Sequence, residues 1–171
     1  TIANTSESQF NTEFECEFLG SIDTLITPSK LRMMAYREPK QRNAGLDVYE
    51  MPVEKKTYFM SCDVSRGTKN DYSAFVVFDV SQIPYRIVAK FRDNEIKPLL
   101  FPQKIYDVAR AYNQAFVMIE VNDIGEQVAN TMQFDLEYDN LVMASMRGRA
   151  GQIMGAGFSG KQAQLGVRTT K

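Results

Sequence analysis

Two acidic residues stand at the ends of otherwise apolar runs. Asp63 lies near the end of residues 57–64 (TYFMSCDV), and Glu120 near the end of residues 116–121 (FVMIEV). Side chains alternate along a strand, so Phe59, Ser61 and Asp63 share one face, as do Phe116, Met118 and Glu120. A carboxylate in such a place is costly to desolvate without a partner. Two carboxylates brought side by side also repel and tend to hold a proton. A divalent cation relieves both penalties. Hard cations such as Mg²⁺ take oxygen ligands, commonly one or two carboxylates with water and a substrate phosphate. Two such ions roughly 4 Å apart activate water and stabilise the leaving oxygen of a phosphodiester. The other reading of the same residues is a turn cap for Asp63 and an ion pair for Glu120. Asp71, just across a turn from Asp63, is either a further ligand or an ordinary turn residue. Asp123 reads as a helix N-cap.

The composition narrows the chemistry further. The chain has no histidine, which excludes a Ser-His-Asp triad and a Cys-His dyad. Its two cysteines, Cys16 and Cys62, are isolated. They are too few for a zinc site without histidine and too sparse for a secreted disulfide scaffold, so a reduced intracellular setting and buried thiols are expected. No apolar run is long enough to span a membrane. Net charge is −1, yet no acidic residue follows Asp139, while Arg147, Arg149, Lys161, Arg168 and Lys171 do. A basic, glycine-rich stretch of this kind suits contact with a phosphate backbone, or is simply a solvated loop. Gly155 to Lys161 has the spacing of a phosphate-binding loop, but Gln162 stands where Ser or Thr would hold Mg²⁺, and neither a clear strand nor a good helix flanks it.

The elements that must position these residues follow from periodicity. Residues 14–19 suggest a strand and residues 28–36 a helix. Residues 38–56 are polar and read as an irregular linker. Strands are expected at 57–64, 72–80 and 85–92, joined by short gaps and therefore antiparallel. Ile105, Val108, Ala109 and Tyr112 form a helical stripe after Pro102. A strand at 116–121, a helix at 125–138 and a short strand at 141–145 complete the pattern, and the rest reads as loop. Strand, strand, strand, helix, strand, helix, strand makes an α/β mixed sheet: a three-stranded antiparallel meander plus parallel strands, with helices on both faces. This is the order of the ribonuclease H-like fold, in which the first and fourth of these strands, carrying Asp63 and Glu120, are neighbours.

Several stretches carry a more specific resemblance. CDVSRG at 62–67 followed by NDYSAF at 70–75, FRDNEI at 91–96, LLFP at 99–102 and IEVNDIG at 119–125 together resemble the large subunit of terminases, the DNA-packaging motors of tailed bacteriophages, and most closely those of myophages. The resemblance implies an ATPase followed by a nuclease of ribonuclease H-like fold. EFECEFLGSIDTLI at 13–26 is similar to the end of the ATPase region. Residues 1–56 would then be that end and a linker, and 57–171 the nuclease, without an ATP site. It further implies Asp63 and Glu120 as catalytic metal-binding acids, Asp71 as an accessory acid, and Mg²⁺ or Mn²⁺, as two ions, as cofactor. The implied substrate is concatemeric double-stranded viral DNA. The portal protein and small terminase subunit are the implied partners, in host cytoplasm at the prohead portal. Arg66, Arg147, Arg149 and Lys161 are candidate phosphate contacts. The family's third essential Asp has no counterpart after Asp139, so a C-terminally incomplete domain is expected. The rival expectations are a non-catalytic DNA-gripping module and a resolvase- or integrase-like nuclease of the same fold.

Overall fold

The computed structural model describes residues 26, 28–145, 152–153 and 163–168. The chain divides into two units, Thr1–Arg37 and Glu38–Lys171. In the first, a short helix, α1 (Pro28–Met33), opens on its proline as expected and stops short of residue 36. The strand expected at 14–19, and Cys16 with it, lies outside the described residues.

The second unit is built on a six-stranded sheet. Its strands are β1 (Gln41–Asn43), β2 (Leu46–Val48), β3 (Tyr58–Asp63), β4 (Ser73–Asp79), β5 (Arg86–Asp93) and β6 (Phe116–Ile119). Their spatial order is β1-β2-β5-β4-β3-β6. The central three form the antiparallel meander, and β6 adds to β3 in parallel, with Ile119 opposite Cys62. The strands of Asp63 and Glu120 are thus neighbours. Residues 38–56 are not wholly a linker, because β1 and β2 form a hairpin that extends the sheet beyond β5. Each of these strands is only three residues long, too short for an alternating pattern to stand out. An Arg42–Asp47 ion pair of 2.8 Å spans them.

Two helices cover the sheet. In α2 (Phe101–Ala111) the expected stripe of Ile105, Val108 and Ala109 is buried. Phe101 stacks against Phe75 and Phe91 from the sheet. The second, α3 (Gly125–Asn130), runs into a π turn over Thr131–Asp135, where the Leu136 amide donates to the Thr131 carbonyl at 3.0 Å. Both pack on the face of Tyr58, Met60, Cys62, Phe75 and Val77. The sequence order suggested helices on both faces. Instead, both described helices bury their apolar residues in one core on the same side of the sheet, as connections of one hand that step the same way along a sheet would place them. The opposite face, which bears Phe59, Ser61, Asp63, Val76 and Phe78, is only half-buried or exposed.

The short strand expected at 141–145 is present, and beyond it the structure departs from the expected loop. The strand β7 (Val142–Ser145) is flanked by β8 (Gln152–Ile153) and β9 (Ala163–Leu165) in a second, three-stranded sheet. Leu141 bridges Val117 in parallel, which ties β7 to the far edge of β6. β8 and β9, by contrast, are too short, and too closely bordered by glycine, to announce themselves in sequence.

At the far end of β4, Asp79 is buried. Its carboxylate accepts from Lys56 Nζ at 2.7 Å, from Arg86 at 3.1 Å and from the Ser81 amide at 3.1 Å. Burial alone would raise its pKa, but these donors outweigh it and hold the carboxyl well below the usual aspartate range. Its stabilisation is therefore complete above the unfolded aspartate pKa and is lost as pH falls through the lower folded value. Because both cations keep access to water, Asp79→Ala is expected to cost about 2 kcal/mol, less than breaking a fully buried pair. Urea denaturation at neutral pH measures it, and an unchanged midpoint would refute this role.

Candidate metal centre on the open sheet face

Asp63 is the last residue of β3, and Glu120 follows the last residue of β6. Parallel pairing of these strands puts both side chains at the same end of the sheet and on the face that no described helix covers. A cavity of about 340 Å³ opens there, lined by Ser61, Asp63, Ala74, Val76, Met118 and Glu120. The Glu120 main chain is held from both sides. Its amide donates to the Cys62 carbonyl at 2.9 Å, while Val167 exchanges hydrogen bonds with Ile119 and Val121 at 2.9 and 3.0 Å. That second partner depends on Gly166, which has φ +69°, and a Cβ there would lie 2.2 Å from the Ile119 carbonyl oxygen. Only glycine meets both demands. The expected loop thus delivers a strand segment to the edge of the site. A lone glycine between Leu165 and Val167 was the only signal of it.

The electrostatics show strain between the acids. Partial burial by the sheet face raises the Asp63 carboxyl above the usual aspartate range, and the Glu120 charge raises it further. The Val64 amide, donating to it, offsets part of this, while the hydrogen bond between the two carboxyls and the nearby Asp71 charge add to it. This is the pattern of a carboxyl that a like charge beside it keeps from ionising freely. Asn122 steadies Glu120, donating from Nδ2 to Oε1 at 2.6 Å. The Cys62 thiol is buried beneath the pair on the helical face, and burial raises its pKa strongly.

The other expected residues fall into three groups. Asp71 is exposed, and its carbonyl accepts from Ser65 Oγ at 2.9 Å, which staples the turn between β3 and β4. Its charge reaches Asp63, but among the described residues no three acids or cysteines gather closely enough to hold an ion by themselves. Asp123 does not cap α3, whose N-cap is Ile124 without a side-chain bond. It takes φ +52° and forms a bidentate pair with Arg66, at 2.6 and 2.8 Å. This pair joins the turn after Asp63 to the turn after Glu120, and the guanidinium expected to meet phosphate holds a carboxylate instead. Arg147, Arg149 and Lys161 lie outside the described residues.

The donor set suits a hard cation. Two oxygen-only side chains, each unfavourable beside the other, meet at an open cavity with no histidine or accessible thiol among the described residues. An antiparallel meander extended in parallel, with paired acids at the strand ends, defines a ribonuclease H-like nuclease fold. The sequence matches the family described as the terminase RNaseH-like domain over residues 60–154, which takes in both acids and more than half of the chain. The chain belongs to that family. Two solved structures share its fold, both of the large terminase nuclease from thermophilic phage G20c. The one with bound magnesium is 20% identical, with a TM-score of 0.51 over 59% of this chain and 51% of that one. The one with bound zinc is also 20% identical, with a TM-score of 0.50 over 59% and 56%. The chain thus spans about half the length of the solved nuclease chains it matches.

Proposed function

We propose that this chain is the nuclease part of a phage large terminase subunit and cuts concatemeric double-stranded DNA during genome packaging. The observation that carries the proposal is the placement of Asp63 and Glu120 on neighbouring strand ends, each an unfavourable neighbour to the other without a cation. Asp63 and Glu120 would hold Mg²⁺ or Mn²⁺, with Asp71 near enough to orient a bound water. When bound, the ions supply Lewis acidity at the phosphodiester and acidify a water. Around them, Asn122 orients the Glu120 carboxylate. The Arg66–Asp123 pair fixes the two turns relative to each other, and the open cavity admits a backbone without burying it. Arg147, Arg149 and Lys161 would supply positive charge for the DNA, the charge of Arg66 being matched by Asp123. The bound magnesium of the G20c nuclease supports this choice of ion. Residues 1–56 would belong to the end of an ATPase region and its linker. The portal and small subunit would be partners, and host cytoplasm the site of action.

The test is nicking of supercoiled plasmid. Cutting is expected in Mg²⁺ or Mn²⁺ and is expected to stop with EDTA. Asp71 stands exposed in the turn rather than closing on Asp63 and Glu120, which favours one alternative, a module that grips DNA without cutting it. DNA binding with no cutting in either metal would select that alternative.

A further inference from the structure

The open sheet face carries more than the acid pair. Residues two apart on a strand share a face, and directly paired residues stand in a row across the sheet. The register Asp63–Ala74–Arg92 therefore puts Arg92 of β5 in the same row as Asp63, two strands away. Two strand spacings of ~4.8 Å separate them by about 10 Å. Between them stands Ala74, whose small side chain lines the cavity and leaves the path over the sheet open. Tyr72 lies two residues before Ala74 and so on the same face. The Arg92 guanidinium sits 4.5 Å from the centre of the Tyr72 ring. Stacking on a ring face holds the guanidinium plane while leaving its in-plane N–H groups directed outward. Arg92 is exposed, Tyr72 is 42% exposed, and Arg92 has no carboxylate partner among the described residues. The neighbouring cations differ. Lys90 in the next row reaches Asp47, Lys69 reaches Glu95, and Arg66 is tied to Asp123.

We propose that Arg92, braced by Tyr72, is a phosphate-binding site that tracks the DNA backbone across the open face beside the acid pair. The inference rests on the nuclease reading and names where its substrate runs. A backbone advances ~3.4 Å along the axis per phosphate, so a strand passing Asp63 presents its second or third phosphate at the distance of Arg92. The guanidinium fork matches phosphate oxygens in pairs, and such a contact carries no sequence preference. The sheet row thus gives the nuclease a second grip that does not require the basic C-terminal stretch.

The experiment is fluorescence anisotropy of a short labelled duplex with the full chain in EDTA, across a range of salt concentrations. Arg92→Ala is expected to weaken binding about fivefold to tenfold, equally on unrelated sequences, and to lower the slope of log affinity against log salt by about 1. Tyr72→Ala should weaken it to a lesser degree, while Tyr72→Phe, which keeps the ring, should bind as the parent does. Lys104→Ala removes a cation on α2, on the helical side of the sheet, and should change nothing. Parent-like binding by Arg92→Ala, or equal losses in Arg92→Ala and Lys104→Ala, would overturn this site and leave the nuclease reading standing. An unmutated chain that binds no DNA at all would instead bring down the nuclease reading, and this site with it.

Discussion

Asp63→Asn is expected to reduce metal-dependent cutting by roughly 10³-fold, the scale of losing a main electrostatic contact to a reacting phosphate, and yet to make the metal-free protein more stable. The two effects share one cause. In the folded chain the Asp63 carboxyl is raised by burial and by the Glu120 charge. Between the ordinary aspartate pKa and that raised value, the folded state binds more protons than the unfolded one. Stability therefore falls as pH climbs through the folded pKa, and at neutral pH the charged pair is a net cost. Asparagine has almost the same shape and no charge, so its melting temperature without metal should exceed that of the parent by a few degrees at pH 7. This difference should close as pH is lowered and Asp63 becomes protonated. Saturating metal should reverse the order. An ion present at a hundred times its dissociation constant contributes about 2.7 kcal/mol to the parent, or about 5 to 10 °C in melting temperature, and should add little to the variant. Calorimetric melts at two pH values, with and without Mg²⁺ or Mn²⁺, measure all of this. A variant that melts below the parent without metal, or that gains as much from the ion, would show that the carboxylates are not a mutually strained metal pair.

The part of the site visible in sequence was the part in which residue type conflicts with its surroundings. A carboxylate closing TYFMSCDV, and another in FVMIEV, break the apolar pattern and so point to a partner. The order of strands and helices, read as that of the ribonuclease H-like fold, then put the two strands side by side. What the sequence concealed depends on contacts between distant segments. Arg66 and Asp123 are 57 residues apart and read singly as a phosphate contact and a helix cap, yet together they form a clasp. Val167 flanks Glu120 through backbone hydrogen bonds, of which the glycine before it was the one trace in the sequence. Asp123 shows why local propensity misled. Aspartate is a good cap, but it also tolerates positive φ better than most residues, and here that tolerance turns it away from α3 towards Arg66. Arg92 was concealed because its meaning is positional: it matters through a register two strands wide.

Gly125→Ala provides the sharpest contrast between local and tertiary reasoning. Gly125 is the first residue of α3, and alanine favours helix over glycine by close to 1 kcal/mol in an open helix interior. Helix propensity therefore predicts stabilisation. In the fold, a Cβ on Gly125 would lie 1.9 Å from the Glu120 carbonyl oxygen and 3.0 Å from its carbon, with Val64 Cγ2 at 3.7 Å. The obstructing atoms are backbone, so no rotamer change removes the clash. Either α3 lifts, disturbing buried Val128 and Ala129, or the main chain of Glu120 moves. That main chain is fixed to Cys62 on one side and flanked by the Val167 segment on the other. Overpacking against so constrained a backbone is expected to cost about 3 kcal/mol, or about 6 to 12 °C in melting temperature. The displacement falls on the residue that places one of the two acids, so weaker metal binding is expected even well below the melting transition. A titration calorimeter with Mn²⁺ at low temperature separates that effect from unfolding. A variant as stable as the parent, with unchanged affinity for the ion, would mean that the close approach of α3 to Glu120 does not set the geometry of the site.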